Sequence, residues 1–152
     1  VDPVSTKKAK KISAYLDKIH TLKPNLSEAE AISGISINNK KNLQLAADWF
    51  HRKGLKRIFI SMGKKGIYFS NASGSGSVSL NKELKVKNVS GAGDASMAAL
   101  VNAFKKNYGI KKSAYQALIA ASLAVENKST VNPLLTTKKI TRIYNEFASK
   151  KK

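Results

Sequence analysis

The sequence predicts an α/β fold in which a mostly parallel sheet is flanked by helices. Two observations lead to this prediction. The apolar run Arg57–Met62 has the length and composition of a buried parallel strand. The run Ala95–Val101 is apolar at helical spacing, and a glycine-rich turn joins it to the alternating segment Leu84–Lys87. A strand that turns directly into a helix is a unit from which α/β folds are built.

The opening segment is predicted to contain the end of one strand, followed by a helix and then by a second strand. Val1–Val4 is typical of a strand that leaves a core, because Pro3 favours an extended exit. A start in mid-strand with a residue other than Met leads us to expect further sequence upstream. Ser5 can cap a helix that runs to about Lys18, and a short strand is predicted at Ile19–Leu22.

Another helix is predicted after the turn Pro24-Asn25, with Asn25 or Ser27 as its N-cap. The acid that follows, Glu28 or Glu30, can accept hydrogen bonds from the free N–H groups and complete a capping box. From the pattern alone, this structural role and a functional role for the segment stay equally open.

The middle of the chain predicts a helix, a hairpin and a loop. Asn38 opens the helix and Gly54 ends it. The buried strand described above is followed by the turn Gly63–Gly66 and returns as Ile67–Ser70, which is the pattern of a hairpin with a basic tip. Asn71–Ser77 is rich in Gly and Ser, and it is predicted to be a flexible loop.

The last third of the chain predicts three helices. The first follows the glycine-rich turn and ends near Gly109, and Ser113 caps an alanine-rich second helix. Val131–Pro133 breaks the chain. The third helix begins at about Thr136, and Lys150–Lys152 is predicted to be disordered.

The glycine-rich turn Gly91–Gly93 has the features of an anion site. The first N–H groups of a helix have no internal partner and carry partial positive charge. Glycine lets a phosphate approach the backbone closely. Asp94 falls in the first helical turn, beside any anion that the amides bind. This arrangement suits transfer of a phosphoryl group to a hydroxyl. The alternative is a first-turn acid that only stabilises the helix.

Composition narrows the classes of function. The 152 residues suffice for one domain, 42% of them are hydrophobic, and no apolar run is long enough to span a membrane. The formal net charge of +19 raises the question whether the protein binds nucleic acid. However, all but three of the 28 basic residues are lysines, and they are spread along the chain without interleaved aromatic residues. A solvated basic surface is the favoured interpretation, so neither a nucleic-acid partner nor a membrane is expected.

Two residue types are scarce. Cysteine is absent, which excludes disulfides and thiolate metal sites, and the cytoplasm is the expected compartment. His20 and His51 are the only histidines and lie far apart in the sequence. Solvated or capping roles are therefore favoured for them over metal binding.

The run Gly91-Ala92-Gly93-Asp94 resembles the second signature of the ribokinase-like (PfkB) family of sugar and nucleoside kinases. The resemblance implies a ribokinase-like three-layer fold, of which this chain would be the C-terminal portion. It also implies that Gly91, Ala92 and Gly93 form an oxyanion cradle. Asp94 would be the base that faces the acceptor hydroxyl.

Two further motifs resemble the nucleotide site of that family. Lys-Pro-Asn-x-x-Glu is similar to the family's Asn-x-x-Glu, which implies that Asn25 and Glu28 help to organise Mg²⁺ and phosphate, often through water. Ser-x-Gly-x-x-Gly is similar to the family's Thr-x-Gly-x-x-Gly, which lines the site for the ribose or phosphates of ATP. The nucleotide contacts that the resemblance implies are Asn25, Ser61, Gly63, Gly66 and Gly93.

The resemblance covers nearly the whole chain. It implies that residues 1–152 are the C-terminal, nucleotide-binding part of a kinase domain, because the family's sugar-binding residues and lid have no counterpart here. Within the family, the wording of four segments is most similar to that of pseudouridine kinases: Asp2–Ser5, Thr21–Asn25, Asn88–Ser90 and Thr130–Pro133. Many relatives carry Asp where Asn88 stands, to help hold a monovalent cation, so such a cation is doubtful here.

The resemblance implies transfer of the γ-phosphoryl group of ATP to a primary hydroxyl of a ribose-bearing substrate, with pseudouridine as the first expectation. Another sugar or nucleoside, of the ribose, fructose or adenosine type, is the alternative within the family. Alternatives from other classes are a basic nucleic-acid-binding module and a nucleotide-binding protein without catalysis. Assembly as a homodimer is left open, and the chain by itself is expected to be inactive.

Overall fold

The computed structural model describes residues 1–80, 85–129, 132–133 and 135–149. They fall into two compact units, Val1–Ser77 and Val78–Lys152, and each unit has its own buried core. The predictions for Leu84, Val131 and Lys150–Lys152 lie outside the described residues.

The helices of the first unit begin where the sequence supplies a side-chain cap. They are α1 (Thr6–Ile12), continued by the 3₁₀ segment Ser13–Lys18, α2 (Leu26–Ser33) and α3 (Lys40–Arg52). Ser5 caps α1 as predicted, because its Oγ accepts a hydrogen bond from the N–H of Lys8 at 3.4 Å. The cap of α3 is Asn39, one residue after the predicted Asn38. The Asn39 Oδ1 accepts the N–H of Asn42 at 2.9 Å.

Four short strands form a mixed sheet in the order β1-β2-β3-β4: β1 (Thr21–Leu22), β2 (Arg57–Ser61), β3 (Ile67–Asn71) and β4 (Gly74–Val78). β1 and β2 pair in parallel, whereas β2 and β3 pair antiparallel. The predicted mostly parallel sheet is therefore found only in part. Parallel strands need a crossover of a dozen or more residues, which α2 and α3 supply between β1 and β2. Only Met62–Gly66 lie between β2 and β3, and such a short connection makes a hairpin.

The segment Asn71–Ser77 is not the flexible loop that its composition predicts, since most of it belongs to β4. A Cβ atom at Gly76 would lie 3.0 Å from Cζ of Phe69, so the glycine makes room for that aromatic ring. The hydroxyl of Ser75 donates to Oε1 of Gln44 on α3 at 2.9 Å. Small residues thus serve packing in this strand, and composition alone does not reveal it.

The core of the first unit joins α1, α2 and α3 to β1, β2 and β3. Phe50 of α3 is fully buried in this core, whereas Leu45 of the same helix is 46% exposed. Burial raises the pKa of the Tyr68 hydroxyl above its ordinary value. This phenol donates to Gln44 Oε1 at 2.7 Å, so β3 is hydrogen-bonded to α3 within the core.

The described residues of the second unit form three helices: α4 (Ala92–Lys105), α5 (Ile110–Val125) and α6 (Thr137–Ser149). α6 begins within one residue of its prediction. α4 ends before Gly109, which is the N-cap of α5, so the prediction of Ser113 as a cap is wrong. Ser113 lies buried inside α5 and donates to the Gly109 carbonyl at 3.1 Å. Lys85–Lys87 is not a strand as predicted, since the Lys87 N–H donates to the Val125 carbonyl at the end of α5 at 2.8 Å.

α4 buries a different face from the apolar series that predicted it. Its buried residues are Ser96, Ala99, Leu100 and Ala103. Val101, which belongs to that series, is 55% exposed, and Phe104, three residues further along the helix, is 50% exposed. The core of this unit instead joins Ala99 to Ile119 and Ala120 of α5 and Ile140 of α6. The small side chains allow close packing of α4 on α5.

Candidate functional site

A cleft of about 350 Å³ in the first unit is lined by three segments. They are the start of α1 with the residue before its cap (Val4–Thr6), the start of α2 (Asn25–Glu28), and the end of β2 with the residues after it (Ser61–Gly63). β1 and β2 run in parallel, so the second and third segments lie at the carboxyl edge of the same strand pair. Open α/β sheets bind ligands at such an edge.

Asn25 and Glu28 form a capping box at the start of α2. The Asn25 Oδ1 accepts the N–H of Glu28 at 2.9 Å, and the Glu28 Oε2 accepts the N–H of Asn25 at 2.9 Å. The predicted structural role of these residues is therefore confirmed, with Asn25 and not Ser27 as the cap. Glu28 is buried, and its other carboxylate oxygen accepts no hydrogen bond from the described part of the chain. One oxygen of a cleft-lining carboxylate thus remains available to a ligand.

Ser61 and Gly63 lie in the same cleft. The Ser61 N–H donates to the Pro24 carbonyl at 2.9 Å, and Ser61 and Asn25 form a parallel bridge. These backbone contacts hold the end of β2 against the start of α2. Gly63 has a φ of +57°, and no atom lies within 4 Å of the place its Cβ would occupy. Its backbone therefore borders open space in the cleft.

Gly66 shapes the hairpin and does not line the cleft. It is buried, its φ is +93°, and its N–H donates to the Gly63 carbonyl at 3.0 Å. Its own carbonyl accepts the Met62 N–H at 2.8 Å. The positive φ explains why glycine is required at the turn. A direct nucleotide contact by Gly66 stays a prediction.

The predicted catalytic residues lie together at the start of α4, in the second unit. Gly91 is the N-cap with a φ of +79°, and the first helical hydrogen bond runs from the Ala95 N–H to the Gly91 carbonyl at 2.9 Å. The N–H groups of Ala92, Gly93 and Asp94 precede that bond and have no acceptor within the helix. No side chain caps them. The start of α4 therefore offers three amide donors with partial positive charge.

The side chain of Asp94 is next to these amides. Asp94 and Gly93 are both exposed, and within the described part of its unit the Asp94 carboxylate makes no hydrogen bond or ion pair. A carboxylate in this setting can accept a proton from a group brought against the amides.

Asn88, three residues before the glycine-rich turn, uses both ends of its amide. Its Oδ1 accepts the Ser90 N–H at 2.9 Å, and its Nδ2 donates to the Lys128 carbonyl at 3.1 Å. An aspartate could not make the second bond. Asn88 stands at the position that the family resemblance links to a monovalent cation. In this chain its side chain instead makes two hydrogen bonds that stabilise the turn.

The sequence did not identify the Val4–Thr6 wall of the cleft as a site segment. The only signal was the resemblance of Asp2–Ser5 to a family segment, together with the capping role of Ser5. Among the residues that the structure describes, no three His, Cys, Asp or Glu side chains cluster as a metal site, and no helix is long and apolar enough to cross a membrane.

Residues 1–138 match the profile of the pfkB family of carbohydrate kinases. This chain belongs to the PfkB family. The pseudouridine kinase of Escherichia coli (strain K12) is 41% identical to the PfkB chain over 136 residues, which are 90% of this chain and 44% of that protein. The ribokinase of Staphylococcus aureus (strain COL) is 32% identical over 92 residues, which are 60% of this chain and 30% of that protein. The chain thus spans less than half the length of these relatives.

Two solved structures share the fold of this PfkB chain. A proposed sugar kinase from Clostridium perfringens matches it with a TM-score of 0.90 at 29% identity, over 95% of this chain and 46% of that one. The ribokinase of Arabidopsis thaliana, solved with ribose and ATP, matches with a TM-score of 0.78 at 24% identity, over 87% of this chain and 43% of that one. The chain therefore has a portion of the ribokinase-like fold.

Proposed function

We propose that this PfkB chain is the nucleotide-binding part of a kinase that transfers the γ-phosphoryl group of ATP to a primary hydroxyl of a ribose-bearing substrate. The observation that carries the proposal is the cleft of the first unit. There Asn25 and Glu28, from one motif, line the same space as Ser61 and Gly63, from another. Membership of the family supports ATP as the phosphoryl donor.

The oxygen atoms of the side chains in the cleft are suitable ligands for Mg²⁺. This ion prefers oxygen ligands and keeps several waters. The cleft offers the Glu28 carboxylate, the Asn25 amide oxygen and the hydroxyls of Ser27 and Ser61. Asn25 and Glu28 would hold the ion directly or through water, with nucleotide phosphates completing its shell. Bound there, Mg²⁺ would offset the charge of the phosphates.

The start of α4 would serve the transfer itself. The acceptor oxygen forms a bond to the γ-phosphorus while the bond between that phosphorus and the β–γ bridging oxygen breaks, and ADP leaves with the electron pair. The free amides of Ala92, Gly93 and Asp94 would donate to the phosphoryl oxygens. The Asp94 carboxylate would orient the acceptor hydroxyl and accept its proton.

Pseudouridine is the acceptor we propose first, because the Escherichia coli pseudouridine kinase is 41% identical over 90% of the chain. Another sugar or nucleoside, of the ribose, fructose or adenosine type, remains the alternative, and the similarity to a ribokinase and a 1-phosphofructokinase supports the first two types. The matched part is 44% of the pseudouridine kinase, so residues that select the acceptor are expected outside it. The cytoplasm as compartment and a homodimer as assembly stay parts of this proposal.

A hybrid enzyme tests the function. In it, this chain replaces the 136 matching residues of the Escherichia coli pseudouridine kinase. With ATP and Mg²⁺, we expect the hybrid to form pseudouridine 5′-phosphate, and the 152-residue chain alone to bind MgATP without forming product, because no acceptor is positioned. Chromatography of the nucleotide products and calorimetric titration measure the two results. A folded hybrid that neither binds ATP nor forms product would contradict the proposal.

Glu28→Gln in the hybrid separates the two roles of this residue. An amide keeps an oxygen acceptor for the Asn25 N–H but lacks the charge that attracts Mg²⁺. We expect the magnesium concentration for half-maximal rate to rise about tenfold, with little change in melting temperature. The control is Glu30→Gln on the same helix, whose carboxylate accepts the Ile37 N–H and does not line the cleft. A loss of stability without a change in magnesium dependence would leave only the capping role.

A further inference from the structure

The first wall of the cleft contains a strained turn at Val4. Val4 has a φ of +68°, which is an unusual conformation for a β-branched residue. The Ser5 N–H donates to the Pro3 carbonyl at 2.8 Å, so Val4 is the centre of a three-residue γ-turn. Val4 is 71% exposed and lines the cleft. Burial of the Val4 side chain therefore does not compensate the strain, and strain of this kind concentrates at functional sites.

The two carboxylate oxygens of Asp2 have different partners. One accepts a hydrogen bond from the turn, and the other pairs with a buried cation. Its Oδ1 accepts the Val4 N–H at 3.0 Å. Its Oδ2 forms an ion pair with the Lys23 ammonium at 2.9 Å, and the Lys23 side chain is only 5% exposed. A buried ammonium requires a partner in this way, so the two side chains fix each other.

Lys23 is in turn fixed to the other two walls. It directly precedes Pro24 and Asn25, the cap of α2. The Pro24 carbonyl accepts the Ser61 N–H at the end of β2. A short series of bonds therefore joins Val4 through Asp2 and Lys23 to the other two walls, Asn25–Glu28 and Ser61–Gly63. Those walls carry the predicted nucleotide contacts.

We propose that Asp2 is a positioning residue of the cleft, acting through Lys23 to hold the Val4 turn at a fixed distance from the Asn25–Glu28 wall. Both Asp2 oxygens are engaged within the protein, so its effect on a ligand is indirect. That the ligand is a magnesium nucleotide rests on the proposed function. The cleft geometry itself does not depend on that identity.

The first test is Lys23→Met in the 152-residue chain, read by ¹⁵N relaxation. Methionine fills the buried space of the lysine stem without its charge and leaves the Asp2 carboxylate chemically intact. If Asp2 acts through Lys23, the order parameter of the Val4 amide should fall from about 0.85 to below 0.6, while that of the Glu28 amide stays near 0.85. A purely local bond between Asp2 and Val4 would leave both values unchanged, and that result would overturn the proposal.

The second measurement is calorimetric titration of the same variant with MgATP. We expect its Kd to rise about tenfold relative to the parent, and Asp17→Asn, which removes an exposed carboxylate outside the cleft, to leave the Kd unchanged. Unchanged MgATP affinity in a Lys23→Met chain with a mobile Val4 would overturn the positioning role. If the parent chain binds no MgATP, the proposed function fails, whereas the relaxation result still decides whether Asp2 couples the walls.

Val4→Gly keeps the proposal testable if Lys23→Met does not fold. Glycine accepts a φ of +68° without strain, so the melting temperature should rise. The same change loosens the wall, so MgATP affinity should fall. Higher stability with unchanged affinity would show that the turn does not position the cleft.

Discussion

Replacing Asp94 with Asn in the hybrid kinase should lower kcat by about 10²–10⁴, the usual contribution of a positioned general base. Asparagine is nearly isosteric with aspartate but cannot accept the proton of the acceptor hydroxyl. The backbone amides of Ala92, Gly93 and residue 94 are unchanged by this substitution, so the Kd for MgATP should stay within about twofold of the parent. Steady-state kinetics with saturating acceptor, together with calorimetric titration, would separate these two effects.

The matched control is Asp17→Asn, which removes one carboxylate from the exposed 3₁₀ segment of the first unit. It should leave both kcat and the Kd unchanged. An Asp94→Asn hybrid that keeps more than about half of the parental turnover would remove Asp94 from the mechanism. It would leave the alternative from the sequence, in which the acid only stabilises the first turn of α4.

The helix starts of the first unit could be predicted from sequence because capping is local. Ser5 and Asn25 each lie within three residues of the N–H group that they accept, so the residues that make the bond stand together in the sequence. The error of one residue at Asn38 has the same origin. Two adjacent asparagines can each cap α3, and only the backbone conformation selects Asn39.

The strand β4 could not be predicted, because its cause is not local. Gly76 is favoured by the ring of Phe69, and Ser75 donates to Gln44, a residue from the preceding helix. Gly and Ser content predicts a loop when the partners of a segment are unknown. The buried face of α4 was missed for a similar reason, since the small residues Ala99 and Ala103 become the packed face only against α5.

In the cleft too, residues that belong to local sequence motifs could be predicted, whereas a contact between residues distant in the sequence could not. The two motifs predicted Asn25, Glu28, Ser61 and Gly63, and these residues line one space. Asp2, which contacts the turn at Val4, forms an ion pair with Lys23, a residue distant from it in the sequence. The spacing of residues does not predict such a pair, and it is where the structure adds most to the sequence.

Gly91→Val in the hybrid should lower kcat/KM by about 10²–10³, comparable to the loss of an oxyanion-hole donor. Gly91 is the glycine of the signature that has a positive φ, at +79°, whereas Gly93 does not. A β-branched residue disfavours this conformation by about 1–3 kcal/mol, so the backbone should turn and re-aim the amides of the first helical turn. Kinetics and thermal melting of the same preparation would measure both effects.

Gly109→Val is the matched control, because Gly109 is also an N-cap glycine, at the start of α5, without a side-chain cap. Its φ is −58°, and no atom lies within 4 Å of the place its Cβ would occupy. The stability of this variant should therefore change by less than about 1 kcal/mol, with kcat/KM within about twofold of the parent. If the two valine variants lose equal activity, the cause is general damage to helix starts and the cradle at Gly91 is refuted. A selective loss at Gly91 places the phosphoryl contacts on the amides that follow it.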